Sequence, residues 1–494
     1  MRKIGFDNEK YLKMQSEHIK ERIKAFDGKL YLELGGKLFD DYHASRVLPG
    51  FLPDSKIKML LQMKDQAEIV IAICAGDIEK NKLRGDLGIS YDSDVVRLID
   101  AFRSMGLMVS SVVLTQYAGQ YAADVFEKKI SQYGVKVYRH YPIVGYPNDI
   151  SLIVSEEGYG RNEYIKTTRP LVIVTAPGPG SGKLATCLSQ LYHEHKRGVT
   201  AGYAKFETFP VWNLPLKHPV NLAYEAATAD LNDLNMIDPF HLEAYGETAV
   251  NYNRDVEAFP LLRAMLERIL GKSPYKSPTD MGVNMAGNCI FDDEAVKTAA
   301  KDEIVRRYYQ VCCDKLLGRV SESAVTKAES IMRQADVSIK DRTVVKYALE
   351  KAEKTGVHAV AIELDDGQII TGKSSSLLGS VSAALLNAMK VMANIPDDVP
   401  LLAQTFITPI VRLKEETLRS GTTHLNSHEM LIALSSSAAI NPQAEKALAQ
   451  IKRLRGAQLH SSVMLGDTDE KTLKKLGLNC TCEPIRREKK NYEV

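Results

Sequence analysis

The sequence predicts an α/β protein with a parallel-sheet, Rossmann-like or P-loop-like N-terminal domain, a helical connector and a smaller α/β C-terminal domain. Three observations predict it. Apolar β-type runs recur at residues 69–74, 109–114, 135–138, 171–174 and 199–203, with helical or polar segments between them. Spacings of about 20 to 40 residues with a helix between are the βα pattern that closes a parallel sheet through right-handed crossovers. Residues 171–191, LVIVTAPGPGSGKLATCLSQL, read as strand, glycine-rich turn and helix. After residue 356 the pattern changes to AVAIELDDGQIITGK, two alternating strands about Asp365-Asp366-Gly367, which is a hairpin signal.

In chain order, Asp7 and Asn8 offer caps for an opening helix whose apolar stripe is Leu12, Ile19, Ile23 and Phe26. KLYLELGGKL (29–38) predicts two short strands about Gly35-Gly36. The polar segment after it holds Asp40, Asp41, His43 and Arg46, read as a solvated loop. Asp92 or Ser93 caps a helix over 93–105, with Val95, Val96, Ile99 and Phe102 on its buried face. Residues 206–255 are polar and aromatic, and Pro210, Pro215, Pro219 and Pro239 prevent a continuous helix. Long segments of this kind carry function, so 206–255 reads as a cover over the N-terminal domain's binding crevice, with His241, Tyr252 and Asp255 among its polar groups. Ser277 or Thr279 caps a short helix in KSPTDMGVN. The expected domains are therefore 1–291, a helical connector over 292–356 and an α/β unit over 357–494. In the last, a helix starts at Ser374, further helices cover 425–437 and 442–455, and a strand covers 458–465.

Composition bounds the function. The 494 residues are 45% apolar and 26% charged, with Lys+Arg 64 against Asp+Glu 62. That balance gives no reason to expect nucleic acid or membrane as a partner. MRKIGFDNEKYLKMQ lacks the apolar core of a signal peptide, and no run of about 18 apolar residues follows; a cytoplasmic location is expected. Seven cysteines are scattered without a CxxC pair, so reduced thiols are expected rather than a disulfide framework or zinc ribbon.

The chemistry centres on the turn at 177–183. Gly178, Gly180 and Gly182 allow successive N–H groups to turn inward, Ser181 lies among them, and Lys183 adds a charge at the start of a helix. N–H donors, a helix N-terminus and an ammonium together make a phosphate seat. The strict phosphate-loop pattern would place glycine at Pro177 and a hydroxyl at Leu184. The match is therefore degenerate, and Thr186, one turn on, is the nearest hydroxyl for Mg²⁺. A tight turn that needs glycine only for packing is the alternative.

In a parallel sheet all carboxyl ends share one edge, where ligands bind. That rule sends Asp77, Lys82, Arg84, Asp86, Arg139, His140, Lys183, Lys205 and Glu207 toward one crevice. There Arg84 and Lys205 would neutralise charge, and Asp77 or Glu207 would hold metal or act as base. ATP or another phosphorylated small molecule, with Mg²⁺, is the expected ligand, and Mg²⁺-assisted group transfer on a small polar metabolite the expected chemistry. A non-catalytic phosphometabolite-binding protein and a sugar-phosphate enzyme that needs no nucleotide are the alternatives. No metal ligands are assigned: His193-Glu194-His195 has the wrong spacing for a zinc helix, and His424 and His428 lack a third ligand. Ser181 lacks the flanking glycines of a hydrolase elbow, and the dinucleotide fingerprint GxGxxG is absent.

LGGKLFDDYHASRVLPGF, DIEKNKLRGDLGISYDSDV, VTAPGPGSGKLATCLSQLYHE, SPTDMGVN and the tail LNCTCEP together resemble, from end to end, a bacterial family designated a domain of unknown function. Some of its members carry the label ATP-dependent peptidase-related. The resemblance implies a soluble cytoplasmic protein and a homo-oligomer. The peptidase half of the label finds no support in the motifs, whereas Lys183 and its glycines support the ATP half.

Overall fold

The computed structural model describes residues 3–84, 87–231 and 233–486. Seven strands form the larger sheet: β1 Leu30–Leu34, β2 Ala67–Cys74, β3 Met108–Thr115, β4 Lys136–Arg139, β5 Leu171–Thr175, β6 Gly202–Phe206 and β7 Gly282–Val283. Their order across the sheet is β7-β6-β1-β5-β2-β3-β4, and every neighbouring pair is parallel. The expected α/β class with a parallel N-terminal sheet is borne out. All eight residues of β2 and all five of β5 are buried, as strands covered on both faces must be.

The order also fixes where a ligand would sit. From β2 the chain moves to β3 and β4, toward one edge; from β5 it moves past β1 to β6 and β7, toward the other. Strands β2 and β5 are neighbours, so the connections that leave their carboxyl ends diverge. Such a divergence opens a crevice at that edge, and the glycine-rich turn follows β5 directly.

Helix Asn8–Ala25 begins at Asp7, whose side chain accepts from the Lys10 N–H, as expected. Helix Tyr91–Ser104 buries Val95, Leu98, Ile99 and Phe102. The segment 29–38 departs from expectation. It contributes one strand, β1, without a return strand. The reason lies outside the segment: β1 is bonded on one side to β5 and on the other to β6, which leaves no edge for a hairpin partner.

The chain divides into two units, Ile4–Glu225 with Asp233–Ala300, and a second made mainly of Lys301 onward. The second holds strands β8 Ala359–Glu363, β9 Ile369–Lys373, β10 Gln458–Ser461 and β11 Asn479–Cys482, in the order β9-β8-β10-β11. Here β8 is antiparallel to β9 and β10, and β10 is parallel to β11. Alternation along β8 explains its two faces. Val360 and Ile362 join the core with Val381, Leu385 and Met389 of helix Ser380–Met392. Ala361 packs with Val344 and Ala348 of helix Thr343–Thr355. The expected hairpin is present, turning through Gly367 at φ 84°. The helix expected from Ser374 starts later, at Ser380, because Ser375 is used in a turn in which its hydroxyl accepts from the Leu378 N–H.

Candidate functional site

The turn after β5 is held on both sides. Gly180 and Gly182 have φ of 78° and 86°, and helix Lys183–Lys196 starts immediately after Gly182. On one side the Thr115 hydroxyl at the end of β3 donates to the Ser181 carbonyl at 2.9 Å. Tyr91 packs so closely on Gly178 that a Cβ there would overlap its hydroxyl. The Ser181 hydroxyl donates back to the Gly178 carbonyl at 3.0 Å. Among the described residues, the N–H groups of Gly178, Gly180, Ser181 and Gly182 donate to no protein acceptor.

On the other side, Lys183 Nζ lies 3.7 Å from Glu33 Oε1 at the end of β1. The Tyr203 hydroxyl donates to Glu33 Oε2 at 2.9 Å. Glu33 and Lys205 are register partners on neighbouring strands, which puts both at the same level of the sheet edge. Lys205 Nζ is 2.9 Å from Glu207 Oε1 and also paired with Asp255, from the first turn of helix Asn253–Leu270. That helix packs on Lys183–Lys196, and its packing delivers Asp255 to the cluster. The result is a continuous set of charged groups, Lys183, Glu33, Lys205, Glu207 and Asp255, beside the glycine turn.

Burial sets their chemistry. The Glu207 side chain is 10% exposed. Burial pushes its carboxyl up, Lys205 pulls it back, and Asp255 pushes it up again, leaving it at about 7. Burial alone would lower the Lys205 ammonium, but Glu207 and Asp255 outweigh it and hold the charge well above the ordinary lysine range. Lys205 is therefore a fixed cation, whereas Glu207 is poised to take up or release a proton near neutral pH.

The other expected residues are distributed as follows. Asp77 pairs with Lys82 at 3.2 Å, and Lys82 Nζ lies 4.9 Å from the centroid of the Tyr91 ring, so this pair adjoins the Gly178 side of the turn. Arg84 does not join the lysine-carboxylate cluster. It pairs at 2.8 Å with buried Asp94, which also holds Arg97 at 2.7 Å. Asp86 lies outside the described residues. Arg139 is bound to Glu127 at 2.7 Å and lies over the Tyr117 ring. His140 is buried beside the Glu163 carbonyl, and burial lowers its imidazole to about 4. The Thr186 hydroxyl donates to the Gly182 carbonyl at 2.9 Å.

Lys205 sits inside β6 rather than in the loop after it. Asp41 caps helix Tyr42–Val47 and pairs with Lys56 at 2.8 Å. Asn426 and Glu429 form a capping box beside His428. Among the described residues, no group of three or more His, Cys, Asp or Glu side chains is arranged to hold a metal ion, and no helix is long and apolar enough to cross a membrane.

Sequence reasoning missed Glu33, Tyr203 and Tyr91. Glu33 had a readable signal, since it is the one charge in the run LYLEL, at the carboxyl end of a strand otherwise buried. Tyr203 and Tyr91 had none, because each is defined by what another element brings against it.

Fold and turn together define an open parallel α/β protein with a glycine-rich strand-to-helix turn at its topological switch point. The chain belongs to the family described as "Domain of unknown function DUF1846", whose N-terminal part matches residues 4–336 and whose C-terminal part matches residues 340–492. It is 57% identical over 492 residues to a UPF0371 protein of Streptococcus thermophilus strain CNRZ 1066, covering 100% of both chains. It is likewise 57% identical over 484 residues to a UPF0371 protein of Streptococcus pneumoniae strain Hungary19A-6, covering 98% of each.

Proposed function

We propose that this protein is an enzyme that binds a phosphorylated small molecule at the carboxyl edge of its parallel sheet and transfers a group with proton movement at Glu207. One observation carries the reading. A turn with four N–H groups that donate to no protein acceptor among the described residues, and Lys183, adjoin a charged cluster in which Glu207, raised toward neutrality, is paired with Lys205. In this reading the turn and the first turn of the helix seat the phosphate, Lys183 leaves Glu33 to pair with a phosphate oxygen, and Glu207 serves as general acid or base.

A phosphorylated metabolite fits better than a Mg²⁺-nucleotide. The position that supplies the metal-binding hydroxyl in a strict phosphate loop is Leu184. The Thr186 hydroxyl, the nearest substitute, is bonded to the Gly182 carbonyl. The test is a melting-temperature screen with inorganic phosphate, sugar phosphates, ADP and ATP, each with and without Mg²⁺, on the wild type and Lys183→Ala. A phosphorylated compound should stabilise the wild type and not the variant. Stabilisation only by Mg²⁺-ATP favours the nucleotide enzyme, and equal stabilisation of both proteins removes Lys183 from the site.

A further inference from the structure

The second unit holds a pair of thiols unlike the other cysteines. Cys313, on helix Asp293–Leu316, and Cys482, the last residue of β11, have sulfurs 3.5 Å apart. Cys313 also lies 3.6 Å from the Cys482 carbonyl oxygen, so helix and strand end are pressed together here. The residues are 169 apart in sequence. Cys313 is buried and Cys482 is partly exposed, so Cys482 is the member of the pair nearer to solvent.

We propose that Cys313 and Cys482 form a reversible disulfide when the protein meets hydrogen peroxide. The geometry requires an approach of about 1.5 Å between the sulfurs, since a disulfide bond is about 2.05 Å long. The Cys482 thiolate attacks one peroxide oxygen. The S–O bond forms, the O–O bond breaks, and the departing oxygen leaves as water after taking a proton. Cys313 then attacks the sulfenic sulfur of Cys482. The S–S bond forms, the S–O bond breaks, and hydroxide leaves with the Cys313 proton as a second water. Two thiols thus lose two electrons and two protons, and one peroxide is reduced to two waters.

The order of attack follows from the local chemistry. Cys482 is the partly exposed member of the pair and Cys313 the buried one, so the peroxide meets Cys482 first. Burial raises Cys187, Cys289, Cys312 and Cys480, the last two adjacent in sequence or strand to the pair. Those four are expected to stay reduced under the same exposure.

The test uses the full-length protein, reduced, desalted and treated with hydrogen peroxide, then alkylated and digested without reductant for mass spectrometry. A peptide containing Cys313 joined to one containing Cys482, released by dithiothreitol, is expected. Cross-linking elements so far apart in sequence should also raise the melting temperature of the oxidised protein, by roughly 2 °C or more. The rise should disappear in Cys313→Ser and in Cys313→Ala, the latter included because a buried serine leaves a hydroxyl to satisfy. Linkage of Cys482 to Cys312 or Cys480 overturns the proposal. So does Cys482 sulfinate beside a Cys313 that still alkylates, or the absence of oxidation at either sulfur.

Discussion

Replacing Glu207 by Gln tests the electrostatics of the N-terminal crevice most sharply, because its effect must change with pH. The folded protein holds the Glu207 carboxyl at about 7 against an ordinary 4.5. A carboxyl raised on folding binds its proton more tightly in the folded state than in the unfolded chain. Its contribution to stability is therefore most favourable below pH 4.5 and is lost as pH rises to 7 and beyond. At 1.36 kcal/mol for each decade of proton concentration, that loss is about 3 kcal/mol. Gln has no proton to lose. The wild type should thus weaken relative to Glu207→Gln by about 3 kcal/mol between pH 4.5 and about 8. At about 2 °C per kcal/mol for a unit of this size, the difference in melting temperature should move by roughly 6 °C.

The comparison must be between the two proteins rather than along one curve. His140, lowered to about 4 from 6.5 by burial, acts in the opposite sense. Its contribution is present above pH 6.5 and is lost as pH falls toward 4, so the two titrations partly cancel in the wild type. Subtracting the variant removes His140 and the other groups that do not interact with Glu207. Scanning fluorimetry at half-unit pH steps reads the difference directly. A wild-type-minus-variant difference that stays flat refutes the buried, proton-holding Glu207.

Lys183→Ala should lower the unliganded stability by about 1–3 kcal/mol, because the pair with Glu33 at 3.7 Å is only 14% exposed on each side and the variant takes the Lys183 ammonium from that carboxylate; thermal unfolding without ligand checks this. Gly182→Ala should cost about 1–3 kcal/mol and more than Gly180→Ala, by denaturant unfolding, because both positions have positive φ but only at 182 would a Cβ meet Thr115, at 2.9 Å. Arg342→Met should destabilise the second unit by about 3–5 kcal/mol. The side chain is 1% exposed and donates to Asp302, Thr481 and the Leu459 and Asn479 carbonyls, so the variant takes a donor from each of four acceptors; chemical unfolding followed by a probe in that unit measures the loss.

The sequence revealed β2, β3, β4 and β5, and the start of β6, because β-rich runs such as LVIVT have no other stable place than a sheet buried on both faces; the two-residue β7 carries no such run and does not read as a strand. The sequence did not reveal the strand order. That β1 inserts between β5 and β6 depends on pairings far apart in the chain, and the glycines after it therefore looked like a hairpin turn. The turn at 177–183 was legible from residue type alone, since glycine and lysine before a helix carry their meaning locally. Asp255 was legible as a polar group in a long segment, but its meeting with Lys205 depends on how helix Asn253–Leu270 packs. Arg84 shows a different limit: its strand-end placement suggested the crevice, and its pairing with buried Asp94 was not legible. Charge finds the nearest buried counter-charge, and a spacing rule does not contain that distance.

Amide hydrogen exchange on the wild type, with and without the best-stabilising phosphorylated compound of the melting screen, tests the phosphate seat most directly. Slowed exchange at Gly178, Gly180, Ser181 and Gly182, absent in Lys183→Ala, is the result expected of N–H groups that bind an oxyanion. Bound ligand with exchange at these four amides unchanged, and protection appearing elsewhere, would contradict it.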